Sequence, residues 1–169
     1  MVELQRKRPN GLGFDPYKAS NGTPVAPLGE PVWVKATLRN TTRNFIIVVD
    51  GPISENFQVQ VRTEDRRLVS LTSLGKSLAS AKAQEERTGG SKRIRITLEP
   101  GQAVTRYYQV DRVYDMTLGG TFRIKVSRVY NGPSGRGVAA SVPLPVRLES
   151  LPEASVVPRI DPPAGQGAF

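Results

Sequence analysis

Between Arg93 and Val126 the chain reads RIRITLEPGQAVTRYYQVDRVYDMTLGGTFRIKV. Ile94, Ile96 and Leu98 alternate with Arg93, Arg95 and Thr97, and Phe122, Ile124 and Val126 alternate with Arg123, Lys125 and Ser127. Successive side chains of a strand point to opposite faces, so strict alternation describes strands with one buried and one wet face. Pro100-Gly101 and Gly119-Gly120 supply the turns between them. Little besides an antiparallel sheet satisfies this order of strand, turn and strand.

The same grammar runs from Gly29 to Leu148. Val32, Val34, Ala36 and Leu38 alternate with Trp33, Lys35, Thr37 and Arg39. Asn40-Thr41-Thr42-Arg43 has turn chemistry. The run Phe45 to Val49 is apolar and β-branched, which predicts a strand covered on both faces. Phe57, Val59 and Val61 alternate with Gln58, Gln60 and Arg62, and Leu68 to Thr72 reads as a short strand. Residues 73–92 break the rhythm: Leu74, Leu78 and Ala81 fall at helical spacing, in a segment of helix-forming residues ahead of Gly89-Gly90. A long loop with some helical turn is the favoured reading there. A last strand is expected around Val138 to Leu148, after the Gly-rich loop 131–137.

Outside this core the pattern fades. Residues 1–28 are rich in Gly, Pro, Asn and cations and read as an extended N-terminal arm, with Val2 and Leu4 suggesting one edge strand. Residues 149–169 hold four prolines, which block ladder pairing, and read as a Pro-rich tail. The expected organisation is therefore an arm (1–28), a core domain (29–148) and a tail (149–169). An apolar fraction of 38% agrees with some length lying outside a core. No stretch approaches the roughly 20 apolar residues of a membrane span, and the N-terminus lacks the apolar segment of a signal peptide.

Leu98-Glu99-Pro100-Gly101, then Val110, Tyr114-Asp115 and Gly119-Gly120-Thr121-Phe122, resembles a pattern of bacterial immunoglobulin-like domains: an L-x-P-G turn, a Y-D corner and a G-x-Y/F strand start. Gly29-Glu30-Pro31-Val32 with Leu38-Arg39-Asn40 looks like their first core strand, G-E-P-V with L-x-N. The region is also similar to bacterial proteinase-inhibitor-type sandwich domains. The resemblance covers residues 29–148. It implies an all-β fold, an immunoglobulin-like antiparallel β-sandwich of about seven to nine strands, and extracytoplasmic placement, periplasmic or secreted.

The chain has no His and no Cys, which excludes a Ser-His-Asp triad, a Cys-His pair and Cys/His zinc sites. Ser73-Leu74-Gly75-Lys76 matches S-x-x-K, but its partner motifs S-D-N and K-T-G are absent. Gly11-Leu12-Gly13 neither follows a strand nor opens a helix, as a phosphate cradle requires. Asp111, Asp115 and Glu99 could gather at one corner for calcium; the plainer role is capping turns. Asn21 and Asn40 each open an N-x-[ST] match. No cofactor is expected, and the reading is non-catalytic.

Charge is the remaining signal. The net charge is +9, and 17 of the 24 basic residues are Arg, suited to carboxylate or phosphate. If the strands carrying Arg93, Arg95, Arg123 and Lys125 share a sheet, four cations line one outer face. Tyr107 and Tyr108 lie in the same half of the sequence, and aromatic plus Arg is the composition of interface anchors. The candidate partner-binding set is therefore Arg93, Arg95, Arg123, Lys125, Tyr107 and Tyr108. A solvated basic face is the plainer alternative. The functional expectation is a structural or interaction subunit that docks on a larger assembly through its arms and this face, with an acidic protein ahead of nucleic acid as partner. The other reading is a loop-based ligand-binding or proteinase-inhibitor module.

Overall fold

In the computed structural model, which describes residues 1–7, 14–16, 19–20, 22–50, 57–88 and 94–150, the alternating segments form two sheets around one core. The strands are β1 (Val2–Lys7), β2 (Phe14–Pro16), β3 (Ala19–Ser20), β4 (Thr23–Pro27), β5 (Trp33–Arg39), β6 (Ile46–Asp50) and β7 (Gln58–Thr63). A helix, α1 (Ser73–Thr88), follows, and then β8 (Ile94–Leu98), β9 (Ala103–Gln109), β10 (Gly120–Gly132), β11 (Gly135–Ala140) and β12 (Leu144–Glu149). Among the described residues the fold is all-β apart from that one helix.

The smaller sheet has the order β2-β1-β5-β9, and the larger runs β3-β4-β12-β10-β6-β8. The long strand β10 organises the larger sheet. One of its edges takes β12 and then β11; the other takes β7 along Phe122–Ser127 and meets β6 at Asn131. Alternation then does what the pattern demands. Val34 and Ala36 of β5, Val48 of β6, Val61 of β7, Ile124 and Val126 of β10 and Val146 of β12 are buried in one cluster drawn from both sheets.

The turns follow their residues. Pro100-Gly101 closes with Gln102 N–H donating to the Glu99 carbonyl at 3.0 Å, and Gly101 takes the positive φ of 84° that the third position of a type II turn requires. Asn40 is buried after β5. Its amide donates to the Asn44 and Leu98 carbonyls, and its Oδ1 accepts from the Thr42 N–H and hydroxyl. With both amide protons spent inside the corner, the N-x-T match at Asn40 is a packing element and not a glycan acceptor.

Several expectations change. The described residues of the expected arm are extended but sit in the ladders: Val2 pairs with Ala36 and Leu4 with Val34, while β4 runs parallel to β12. β2 and β3 are too short to show a period alone, and β1 and β4 also pair with β5 and β12, which are distant in sequence. They raise the strand count to twelve among the described residues and make one pairing parallel. The stretch 138–148 divides into β11 and β12, separated at Ser141-Val142-Pro143, and the Gly132–Gly135 pair closes a tight hairpin that joins β10 to β11. Leu68 to Thr72 forms only two isolated bridges, Arg62 with Leu68 and Leu71 with Tyr114. Ile47 and Val49 are half-buried, so the run 45–49 is fully covered on one face only.

The segment favoured as a loop is a 16-residue helix. Thr72 caps it: its hydroxyl accepts from the Gly75 N–H at 3.1 Å, and its carbonyl accepts from Lys76 N–H. Sequence propensity and a cap outweighed the weak apolar stripe, and Leu74 and Leu78 remain exposed. The free edge of β7 is closed without a strand. The Phe57 backbone bonds the Tyr108 phenol, Tyr114 Oη donates to the Val59 carbonyl, and Val69 N–H donates to the Val61 carbonyl. An edge satisfied this way offers no template to another chain. Ser150 is the last described residue; the expected tail beyond it lies outside the described residues.

Candidate functional site

Strand register decides which cations share a surface. Directly opposed residues of a ladder point to the same face. Arg123 of β10 lies opposite Arg62 of β7, and Lys125 lies opposite Gln60. On the other edge Arg147 of β12 faces Thr121, and Arg136 of β11 faces Asn131. Asn131 in turn pairs with Ile47 of β6, and Val49 pairs with Arg95 of β8. All six cations therefore occupy the outer face of the larger sheet. Among the described residues, Glu149 is the one acid at an outward strand position of that face, and it pairs with Arg147 at 2.7 Å.

The Arg62–Arg123 pair sets two cations directly opposite each other in the ladder. Arg62 is anchored, with Nη1 donating to the Arg66 carbonyl at 2.7 Å. Like charges directly across a ladder repel, so this pairing works against the isolated fold.

The six residues singled out from sequence divide. Arg95, Arg123 and Lys125 share the basic face. Arg93 lies outside the described residues. Tyr107 and Tyr108 belong to β9 in the other sheet. Tyr107 opposes Lys35 and is exposed on the opposite side of the molecule. Tyr108 points inward, with its ring edge-on to Phe57 at 6.2 Å between centroids. Burial pushes its phenol above the ordinary range. The tyrosines are thus not part of the basic face, because β9 belongs to the smaller sheet. Arg62, Arg136 and Arg147 were missed. Arg62 stood at an outward position of a recognised strand, so its alternation with Val61 was the available signal.

A second charged group lies inside. Asp50 of β6, Arg106 of β9 and Arg128 of β10 meet between the sheets. Arg128 is 1% exposed; Nη2 donates to Asp50 Oδ1 at 3.2 Å and to the Val49 carbonyl at 3.1 Å. Its guanidinium carbon stands 4.6 Å over the centre of the Phe57 ring. Burial pushes Asp50 up, but hydrogen bonding and charge from Arg106, then the charge and hydrogen bond of Arg128, outweigh it and hold the carboxyl below its usual range. The β10 alternation of Phe122, Ile124 and Val126, continued by one step, points Arg128 inward.

The other motifs resolve into structure. Asp111 accepts from the Val32 N–H at 2.7 Å, and Asp115 accepts from the Thr117 hydroxyl at 2.6 Å, so both cap turns. Ser73-Leu74-Gly75-Lys76 is the first turn of α1. Among the described residues no three acidic side chains gather as a metal site, and no helix is long and apolar enough to cross a membrane. No protein-family model, curated protein or solved structure matches the chain.

Proposed function

We propose that this protein is a non-catalytic interaction subunit: an immunoglobulin-like sandwich that docks on an acidic surface of a larger protein assembly through the basic outer face of its larger sheet. The observation that supports this is Arg62 opposite Arg123, two of six cations that share one face with a single outward acid among the described strand residues. A like-charged pair directly across a ladder costs stability in the free molecule and is relieved by an anionic partner. The N-terminal strands belong to the sheets, so the face rather than that segment carries the docking. An extracytoplasmic setting goes with this reading.

The test is retention on immobilised poly-L-glutamate against single-stranded DNA across a salt series. The variant Arg123→Glu/Lys125→Glu is compared with Lys76→Glu/Arg87→Glu, which makes the same change in charge at exposed positions of α1. Loss of polyglutamate retention in the sheet variant alone supports the proposal. Equal loss in both reduces the effect to net charge and overturns it. Tighter DNA binding with a steep salt slope would favour nucleic acid.

A further inference from the structure

A groove of about 320 Å³ lies between α1, the start of β7 and the end of β9. Val59 of β7, and Val110, Val113 and Tyr114 beyond β9, line it from the body of the sandwich, while Leu78 and Ala79 line it from α1. Val110 is buried at 2% exposure, yet Leu78 and Ala79 stay exposed, so the helix side of an apolar groove is left open to water. Small-molecule sites share this size and lining: they are mostly apolar, with a few polar groups that orient the guest.

Charge enters the groove at one place. Lys82, about two turns along α1 from Gly75, is the one charged side chain lining it among the described residues. Its Nζ donates to the neutral amide of Gln58, at 2.8 Å from Oε1. No carboxylate among the described side chains pairs with it. An ammonium has three donors, so the charge and two protons remain for an anion. The other polar groups are committed elsewhere: the Tyr114 hydroxyl donates to the Val59 carbonyl, and the Gln109 amide donates to Asp111. Lys82 therefore sets the polarity of a guest.

We propose that this groove binds a carboxylate with an apolar body, of medium-chain fatty acid type. At roughly 30 Å³ per non-hydrogen atom, the share of a water in the liquid, the space holds about ten such atoms, which is the size of octanoate. The hydrocarbon lies along Leu78, Ala79 and Val113, and the carboxylate pairs with Lys82. The apolar part supplies affinity by leaving water, and the ion pair fixes its direction.

The experiment follows amide NMR spectra of the full chain as sodium octanoate, octanol or sodium butyrate is added at constant ionic strength. Octanoate should give saturable shifts at Gly75, Ala79, Lys82 and Tyr114, octanol weaker binding at the same residues, and butyrate none. Lys82→Gln should weaken octanoate about fivefold, the size of a partly exposed ion pair, and leave octanol unchanged. Ala79→Phe fills the space from an exposed position and should abolish both. The proposal fails if octanoate gives no saturable shifts at these residues, or if octanol binds as tightly. It fails equally if folded Ala79→Phe binds octanoate as the wild type does. Sedimentation supplies the last arm: a wild type that self-associates beside a monomeric Ala79→Phe would show that a second copy of the chain fills the groove, and would overturn the proposal.

Discussion

The carboxylate of Asp50 in β6 reaches the guanidinium of Arg106 in β9 and so links the larger sheet to the smaller by an ion pair. The same carboxylate holds the buried Arg128. Removing its charge leaves Arg128 enclosed without a counter-ion. Loss of one partner of a buried pair costs roughly 3–5 kcal/mol, and the partial exposure of Arg106 discounts this. Asp50→Asn is expected to lower unfolding stability by about 3 kcal/mol, read from urea midpoints at neutral pH.

Acid should remove the same contribution. The Asp50 pKa is lowered in the folded state, so the folded protein holds the charged form more strongly than the unfolded chain does. Its stabilisation is complete above the unfolded value of about 3.9 and is lost as pH falls from there through the folded value. The stability gap between wild type and Asp50→Asn should be constant from neutral pH to about pH 5 and close below about pH 4. A gap that persists at low pH would mean the defect is one of packing.

Tyr114 lies between β9 and β10 and closes the edge of β7 through its bond to the Val59 carbonyl. Tyr114→Phe keeps the ring and removes that bond. The loss should be about 1–2 kcal/mol, with faster amide exchange along β7 than along β5.

At Gly75 α1 comes close to the backbone of Val113. A Cβ there would meet the Val113 carbonyl oxygen at 2.2 Å. Neither atom belongs to a side chain that can rotate away, so Gly75→Ala must shift the helix. Despite the better helix propensity of Ala, a net loss of about 1–2 kcal/mol is expected. Ser80→Ala, at an exposed position of α1, serves as the control and should be near neutral.

Arg123→Glu turns a like pair with Arg62 into an opposite one. Stability should rise by about 0.5 kcal/mol while polyglutamate retention falls. A fall in both would show that Arg123 has a structural role that its outward position does not reveal.

The strands β5, β8, β9 and β10, the Pro100-Gly101 turn and the inward faces of the core were legible in the sequence, because alternation and turn chemistry are local. Pairing was not legible. Which strand lies beside β10, that β4 runs parallel to β12, and that Arg62 stands opposite Arg123 are contacts between distant residues, and local periodicity is silent about them. The capped helix lay between the two: its residues favoured it, but its apolar stripe did not show what it packs on. By itself the sequence determined a two-faced β chain with a cationic surplus. Only the tertiary structure decided that six of those cations share one sheet face, that the two tyrosines do not, and that Arg128 lies in the core, because register and sheet packing alone bring remote side chains together.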